Sequence, residues 1–280
     1  MYEVTGVDLS SWNGTMDFSV TKTKCQYAYI RVGFNNYGKD VRCDYNRQAA
    51  IANDFPYGVY WYVKPGLDWR QHADNFARIA AEYPIQLDMV LDVETTMLNQ
   101  VDTLNWLINL DSRIESLTGR TPMIYTSMGF WNGCVAPNAH FARNRLWVAS
   151  WTTGPAPSMP AGWSKWTHWQ WSADGNKKGA EYGSGPDGDP DMDLNRYCGT
   201  AAEFDKLYGT HISDPNQLPS KVRVTANVLN VRATPGGTLV GYVPFGTIFG
   251  VTGQANDNTG KRWWKVGSAY IASWYTEIVE

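Results

Sequence analysis

Over roughly its first 200 residues the chain repeats one pattern, and that pattern restricts the fold more than any other property. Short apolar runs stand at Val4–Leu9, Tyr27–Gly33, Gly58–Val63, Met89–Val93, Pro122–Tyr125, Leu146–Ala149, Trp166–Trp171 and Met192–Leu194. Runs of this length, rich in β-branched and aromatic residues, read as strands buried on both faces. Between several of them lie segments with helical spacing: Asp44–Asn53, Asp68–Glu82 and Val101–Leu117, the last ending at Gly119. A further helix is expected over Ala201–Tyr208. Strands alternating with helices build a mostly parallel sheet, and eight such strands can close into a barrel. The runs from Leu146 onward leave little room for full helices between them, so the expected fold class is α/β, an irregular (β/α) barrel.

One strand carries two acids. In Met89-Val90-Leu91-Asp92-Val93-Glu94 the apolar lead runs straight into carboxylates one residue apart. On a strand, alternate side chains share a face, which places Asp92 and Glu94 together with Cα atoms about 6.5–7 Å apart. Two such acids at the end of a hydrophobic strand repel each other, and at least one is expected to stay protonated above its usual range. Asp8, Arg31, Tyr62, Asp92, Glu94, Tyr125 and Asp193 all fall at or near the expected C-terminal ends of strands. In a barrel those ends ring one mouth, where catalytic groups collect. Four carboxylates facing one mouth are costly to assemble and point to chemistry.

The character of the chain then changes. Residues 209–220 are polar, hold two prolines and show no periodicity, as in a linker. From 221 to 280 short strands are expected at Val222–Val224, Val228–Arg232, Thr238–Val243, Thr247–Thr252, Trp263–Val266 and Ala269–Ile271, separated by Gly and Pro turns as in a small all-β barrel. From Val222 on, five basic residues face three acidic ones, a balance of +2; the whole chain carries −3, which leaves −5 for residues 1–221. A mildly basic module beside an acidic one suits docking on an anionic polymer, while the small overall charge argues against a dedicated nucleic-acid binder. No apolar run approaches the length of a membrane span, and Met1-Tyr2-Glu3-Val4 does not start a secretory signal. With 14 Trp and 16 Tyr the chain is rich in flat amphipathic rings, which suit stacking on sugar faces.

Asp8 within GVDLSSWNG, the LDVE segment Leu91–Glu94 and the MDLN segment Met192–Asn195 together make the chain resemble the family 25 glycoside hydrolases, the Chalaropsis-type lysozymes. The resemblance covers about residues 2–208 and implies a TIM-like barrel, with a first domain of residues 1–208. It also implies cleavage of the β-1,4 bond between N-acetylmuramic acid and N-acetylglucosamine in peptidoglycan. Glu94 would be the general acid and Asp92 the support of the substrate's 2-acetamido group; Asp8 and Asp193 would complete the acidic cluster. Direct attack by an Asp nucleophile is the rival assignment. Arg31, Tyr62, Tyr125, Trp151 and Gln170 are candidate substrate contacts. Many relatives carry Tyr-His-Phe on the third strand, whereas this chain has Tyr60-Trp61-Tyr62, which removes an imidazole. The tail, 221–280, resembles a bacterial SH3-like wall-binding domain through Leu229-Asn230-Val231-Arg232-Ala233-Thr234-Pro235. An enzyme joined to such a module and without a signal looks like a phage or prophage endolysin, made in the host cytoplasm, acting as a monomer on the cell wall and needing no cofactor.

Other readings carry less. Asp187, Asp189, Asp191 and Asp193 alternate, which leaves Asp191 as a rival to Asp193 as the fourth acid. The same run suggests calcium, but counting from Asp187 the EF-hand positions for Gly and Glu are Met192 and Cys198. His72, His140, His168 and His211 lack metal-site spacing, so no metal is expected. Cys25, Cys43, Cys134 and Cys198 are most simply free thiols, with a Cys25–Cys43 bridge as the alternative. Trp163, Trp166, Trp169 and Trp171 are expected to pack the barrel wall, whereas Trp263 and Trp264 could be core or ligand-facing. A wall-binding protein that has lost catalysis is the competing function, disfavoured by the intact acids.

Overall fold

The computed structural model describes residues 2–36, 38–210 and 218–279, so most of the expected linker lies outside the described residues. The chain divides into two compact units, Met1–Ala49 with Pro56–Thr200, and Ala50–Phe55 with Ala201–Glu280.

In the first unit the strands are β1 (Thr5–Leu9), β2 (Tyr27–Phe34), β3 (Gly38–Lys39), β4 (Tyr57–Tyr62), β5 (Met89–Asp92), β6 (Met123–Ser127), β7 (Leu146–Ala149), β8 (His168–Ser172) and β9 (Asp193–Tyr197). They run in the order β1-β9-β8-β7-β6-β5-β4-β2-β3, and β1 also pairs with β2, closing eight strands into a barrel with β3 hanging on its edge. Seven of the eight run in the same direction. The exception is β9, antiparallel to both β1 and β8. An antiparallel return needs no crossover helix, which is how the barrel closes across a stretch too irregular to hold one.

Helices α1 (Phe18–Thr21), α2 (Cys43–Ala52), α3 (Trp69–Ala80), α4 (Gln100–Thr118) and α5 (Met128–Cys134) link the earlier strands. Asp68 and Asn99 cap α3 and α4 by accepting from the backbone N–H groups of Arg70 and Asp102, and Gly119 ends α4 in the left-handed conformation. The two helices are joined by the fork of Arg113 on Asp74 at 2.7 and 2.9 Å. Asp111, fully buried on α4, accepts from His140 at 2.9 Å, Arg143 at 2.5 Å and Asn144 at 2.7 Å, which ties the segment before β7 to the helix layer.

Aromatic rings fill the lower barrel because glycines face them across the strands. Tyr27 lies opposite Gly6 and Tyr29 opposite Gly58, and a Cβ at either glycine would collide with the ring. Between the two phenols sits His168, its Nδ1 2.9 Å from Tyr27 Oη and its Nε2 3.2 Å from Tyr29 Oη. Burial drives its pKa down to about 3, so the ring is neutral and presents one donor and one acceptor. Outside the wall, Trp163, Trp166 and Trp171 pack with Trp169 against β7, as expected, and Arg196 lies over the rings of Tyr2, Trp169 and Trp171 at 4.3–5.0 Å. Trp61 also faces outward, bonded to the Asn35 carbonyl at 2.7 Å and set against Phe76 of α3. A histidine there would not look into the barrel.

The acidic run before β9 is a set of staples. The Asp187 carboxylate takes the Thr15 N–H and Arg42, the Asp189 N–H donates to the Trp12 carbonyl at 2.7 Å, and Asp191 pairs with Lys177 at 2.7 Å. Only Asp193 enters the barrel lining. No cysteine forms a disulfide among the described residues, so the Cys25–Cys43 alternative is set aside: Cys25 and Cys43 are each buried as a thiol, and burial pushes both up to about 12.

The second unit holds α6 (Ala201–Tyr208) and strands β10 (Lys221–Val224), β11 (Val228–Arg232), β12 (Leu239–Pro244), β13 (Ile248–Gly250), β14 (Gly253–Asn256), β15 (Arg262–Val266), β16 (Ala269–Ala272) and β17 (Thr276–Val279). They form a three-stranded sheet, β13-β10-β17, and a five-stranded one, β12-β11-β16-β15-β14. The expected Thr247–Thr252 strand is broken into β13 and the start of a new strand at Gly253. Trp263 and Trp264 are core, buried with Val222, Leu229 and Ile271, their indole N–H groups donating to Asp257 and Thr276.

Candidate active site

The rim at the C-terminal ends of β1 and β5 collects the acids. Because β9 runs the other way, its first residue, Asp193, reaches the same rim and lies directly opposite Asp8 of β1. This corrects one expectation: Asp193 arrives at the mouth from the N-terminal end of its strand. Glu94 stands near the end of its strand, as expected. Strand β5 ends at Asp92, so Asp92 points into the barrel between Tyr62 and Tyr125, while Glu94 stands beyond the sheet, exposed above it.

Each acid has a different setting. Asp8 is buried; its Oδ2 accepts from Asn195 Nδ2 at 2.7 Å and Gln170 Nε2 at 3.0 Å, and the carboxylate also accepts from Asp193. Burial raises its pKa and the three donors pull it back. Asp193, half-buried, is pushed up to about 10, first by desolvation and then by the charge on Asp8, so it holds the shared proton. Asp92 is buried and its Oδ1 has no hydrogen-bond partner among the described residues. Desolvation, then Glu94 and Asp8, lift it well above the carboxylate range, with Arg31 opposing. Glu94 is raised by desolvation and by Asp8. The arrangement thus offers a solvent-accessible carboxylic acid, a buried neutral acid with a bare oxygen beside it, and a fixed negative charge behind both.

The five candidate contacts divide. Trp151 exposes 67% of its surface at the mouth, and Tyr62 is half-buried beside Glu94 and Asp92. Tyr125 and Gln170 are buried beside the acids, and the Tyr125 hydroxyl donates to Gln170 Oε1 at 2.8 Å. Arg31 is held by Asp40 at 2.8 Å and donates to Ser11 at 3.1 Å, so its charge faces the cluster from a fixed post. Four residues at the site were not singled out from the sequence. Asn195 and Trp147 stand behind Asp8, joined by an indole-to-amide bond of 2.8 Å. Burial first, and then the charges of Asp8, Asp92 and Asp193, push the Tyr60 hydroxyl well above its usual range. Trp12, 72% exposed, stands on the loop after β1 that the acidic staples secure. Alternation along β9 and β4 would have found Asn195 from Asp193 and Tyr60 from Tyr62. Among the described residues no group of three or more His, Cys, Asp or Glu is arranged to hold a metal ion.

Residues 7–180 match the family described as Glycosyl hydrolases family 25. The chain is 31% identical over 214 residues to Lysozyme M1 of Streptomyces globisporus, covering 72% of this chain and 70% of that protein. It is 26% identical over 183 residues to the N,O-diacetylmuramidase of Chalaropsis sp, covering 60% of this chain and 87% of that one. Among solved structures, the bacterial lysozyme from Streptomyces coelicolor superposes with a TM-score of 0.66 at 29% identity, over 74% of this chain and 97% of that one.

Proposed function

The chain belongs to family 25 of the glycosyl hydrolases, and from that premise we propose how its acids divide the work of cleaving peptidoglycan. It is a muramidase, hydrolysing the bond between N-acetylmuramic acid and N-acetylglucosamine. The observation that carries the mechanism is the contrast between Glu94, exposed and raised, and Asp92, buried with an unpartnered oxygen. Glu94 gives its proton to the glycosidic oxygen as the bond to the muramic anomeric carbon breaks. The acetamido oxygen of the same sugar closes on that carbon and forms a cyclic oxazolinium. Asp92 Oδ1 accepts from the acetamido N–H and orients the group for attack. Glu94, now a carboxylate, takes a proton from the incoming water, whose oxygen opens the ring and restores the acetamide with net retention. The negative charge on Asp8 favours the cationic character of the transition state.

Replacing Glu94 by Gln keeps shape and removes the proton. Hydrolysis of purified cell walls should fall about 10²–10⁴-fold, while sedimentation with those walls is unchanged. Wild-type lysis by Glu94→Gln would refute the assignment. Mass spectrometry of the products should find muramic acid at the new reducing ends.

For the second unit we propose an SH3-like wall-binding role, which makes the whole chain an endolysin-like enzyme acting as a monomer. Its support is the small two-sheet β architecture and an apolar face that includes Tyr242 and Phe245, 74% and 64% exposed. Tyr242→Ala with Phe245→Ala in the full chain should weaken binding to whole walls and leave cleavage of soluble glycan fragments untouched. Undiminished wall binding would end this reading.

A further inference from the structure

Behind the acids lie two side-chain amides, both buried, and each has its polarity set by an indole. Asn195 gives Nδ2 to Asp8 while its Oδ1 accepts from Trp147 Nε1 at 2.8 Å. Gln170 gives Nε2 to Asp8 while its Oε1 accepts from Trp151 Nε1 at 3.0 Å and from the Tyr125 hydroxyl at 2.8 Å. An indole N–H can only donate. If either amide turned over, an NH2 group would face an indole N–H and a carbonyl would face the Asp8 carboxylate. Neither amide can therefore offer Asp8 anything but a donor. Trp147 is itself packed in place, buried against Tyr29 at 4.7 Å in a stacked arrangement and edge-on to Tyr125.

We propose that Asn195 and Gln170 are positioning residues that keep Asp8 ionised, and that Trp147 and Trp151 set their polarity. Trp151 thereby joins an exposed face at the mouth to the buried charge. The proposal rests on reading Glu94 as the acid. With Asp8 committed to the negative state, the proton it shares goes to Asp193, and the standing charge helps Glu94 to retain its own proton. The protonation of the acids at the mouth is thus set by side chains that stand behind them.

The test is the pH dependence of kcat/KM on soluble peptidoglycan fragments. The acid limb reports Asp8 gaining a proton, and the alkaline limb reports Glu94 losing one. Asn195→Leu removes one donor, so the acid limb should rise by about one pH unit, the order expected when two to three donors together depress a carboxylate by about two. With Asp8 less charged, the alkaline limb should fall, and the bell narrows from both sides. Trp151→Phe keeps an aromatic ring but loses the N–H; it should move both limbs in the same directions by less, with KM little changed. Because Trp151 is exposed, this variant decides the matter if Asn195→Leu does not fold. Limbs that stay in place while activity drops uniformly would overturn the positioning role. Glu94→Gln measured alongside separates the two ideas: if it is inactive while the limbs stay put, only the positioning fails, and if it is active, the acid assignment itself fails.

Discussion

Asp193→Asn should make the protein more stable at neutral pH, although it alters a residue at the centre of the site. In the folded chain Asp193 holds its proton up to about 10, whereas its ordinary value is 3.8. Below pH 3.8 folded and unfolded chains both carry the proton and nothing is lost. Above that point the unfolded chain releases it and the folded chain does not, so stability falls as pH rises, by about 1.4 kcal/mol per unit. For a rigid, dry site the loss by pH 7 would be about 4 kcal/mol. Asp193 is half-buried and water reaches the mouth, so screening reduces this to about 2 kcal/mol. Asn keeps a donor for Asp8 and has no charge to suppress. In a domain of about 200 residues the gain corresponds to roughly 4–8 °C in Tm. Urea unfolding followed by tryptophan fluorescence between pH 4 and 8 would show a declining wild-type curve and a flatter one for the variant, the two converging near pH 4. A variant no more stable than wild type at pH 7, or a gap that widens on acidification, would refute the argument that this carboxyl is kept protonated against its own preference.

Two further outcomes follow from other parts of the molecule. Asp111→Ala would leave His140, Arg143 and Asn144 facing an empty buried site and should cost about 3 kcal/mol, read as a lower urea midpoint, with the pH profile of the remaining activity unchanged because the residue lies in the helix layer. Trp151→Ala should raise KM on glycan fragments about tenfold, the equivalent of about 1.4 kcal/mol of lost ring contact; an unchanged KM would remove Trp151 from the substrate's path.

Much of the barrel can be read from the sequence because burial on both faces leaves a strong mark: runs such as Tyr27–Gly33 and Leu146–Ala149 fall within one residue of the observed strands. Direction leaves no such mark. Nothing in the apolar content of Met192–Leu194 says that the last strand descends where the others rise, since direction is decided by what the preceding segment can span. Period-two reasoning groups Glu94 with Asp92, and the charges of Glu94, Asp92 and Asp8 do act on one another. What it does not reveal is that the strand ends at Asp92 and leaves Glu94 exposed at the rim. The same rule, applied from Asp193, leads to Asn195. Gln170, Tyr125 and Arg31 are expected substrate contacts because polar and aromatic residues at strand ends suit sugars. Whether such a residue faces outward or braces an acid depends on partners as far off in sequence as Asp8, and spacing alone does not reveal them.

The antiparallel seam also governs when the enzyme comes into being. Asn195 grips Asp8 across 187 positions of sequence, and β1 and β9 are the first and last staves of the barrel. Contacts this distant in the chain form late in folding. During synthesis from the N-terminus the residues from Asp8 to Gln170 emerge without the strand that completes the acidic cluster. Hydrolytic competence therefore arrives as a single event, at ring closure. A chain clipped before β9 would carry Glu94 and Asp92 but not Asp193 and Asn195, and it should have no hydrolytic activity.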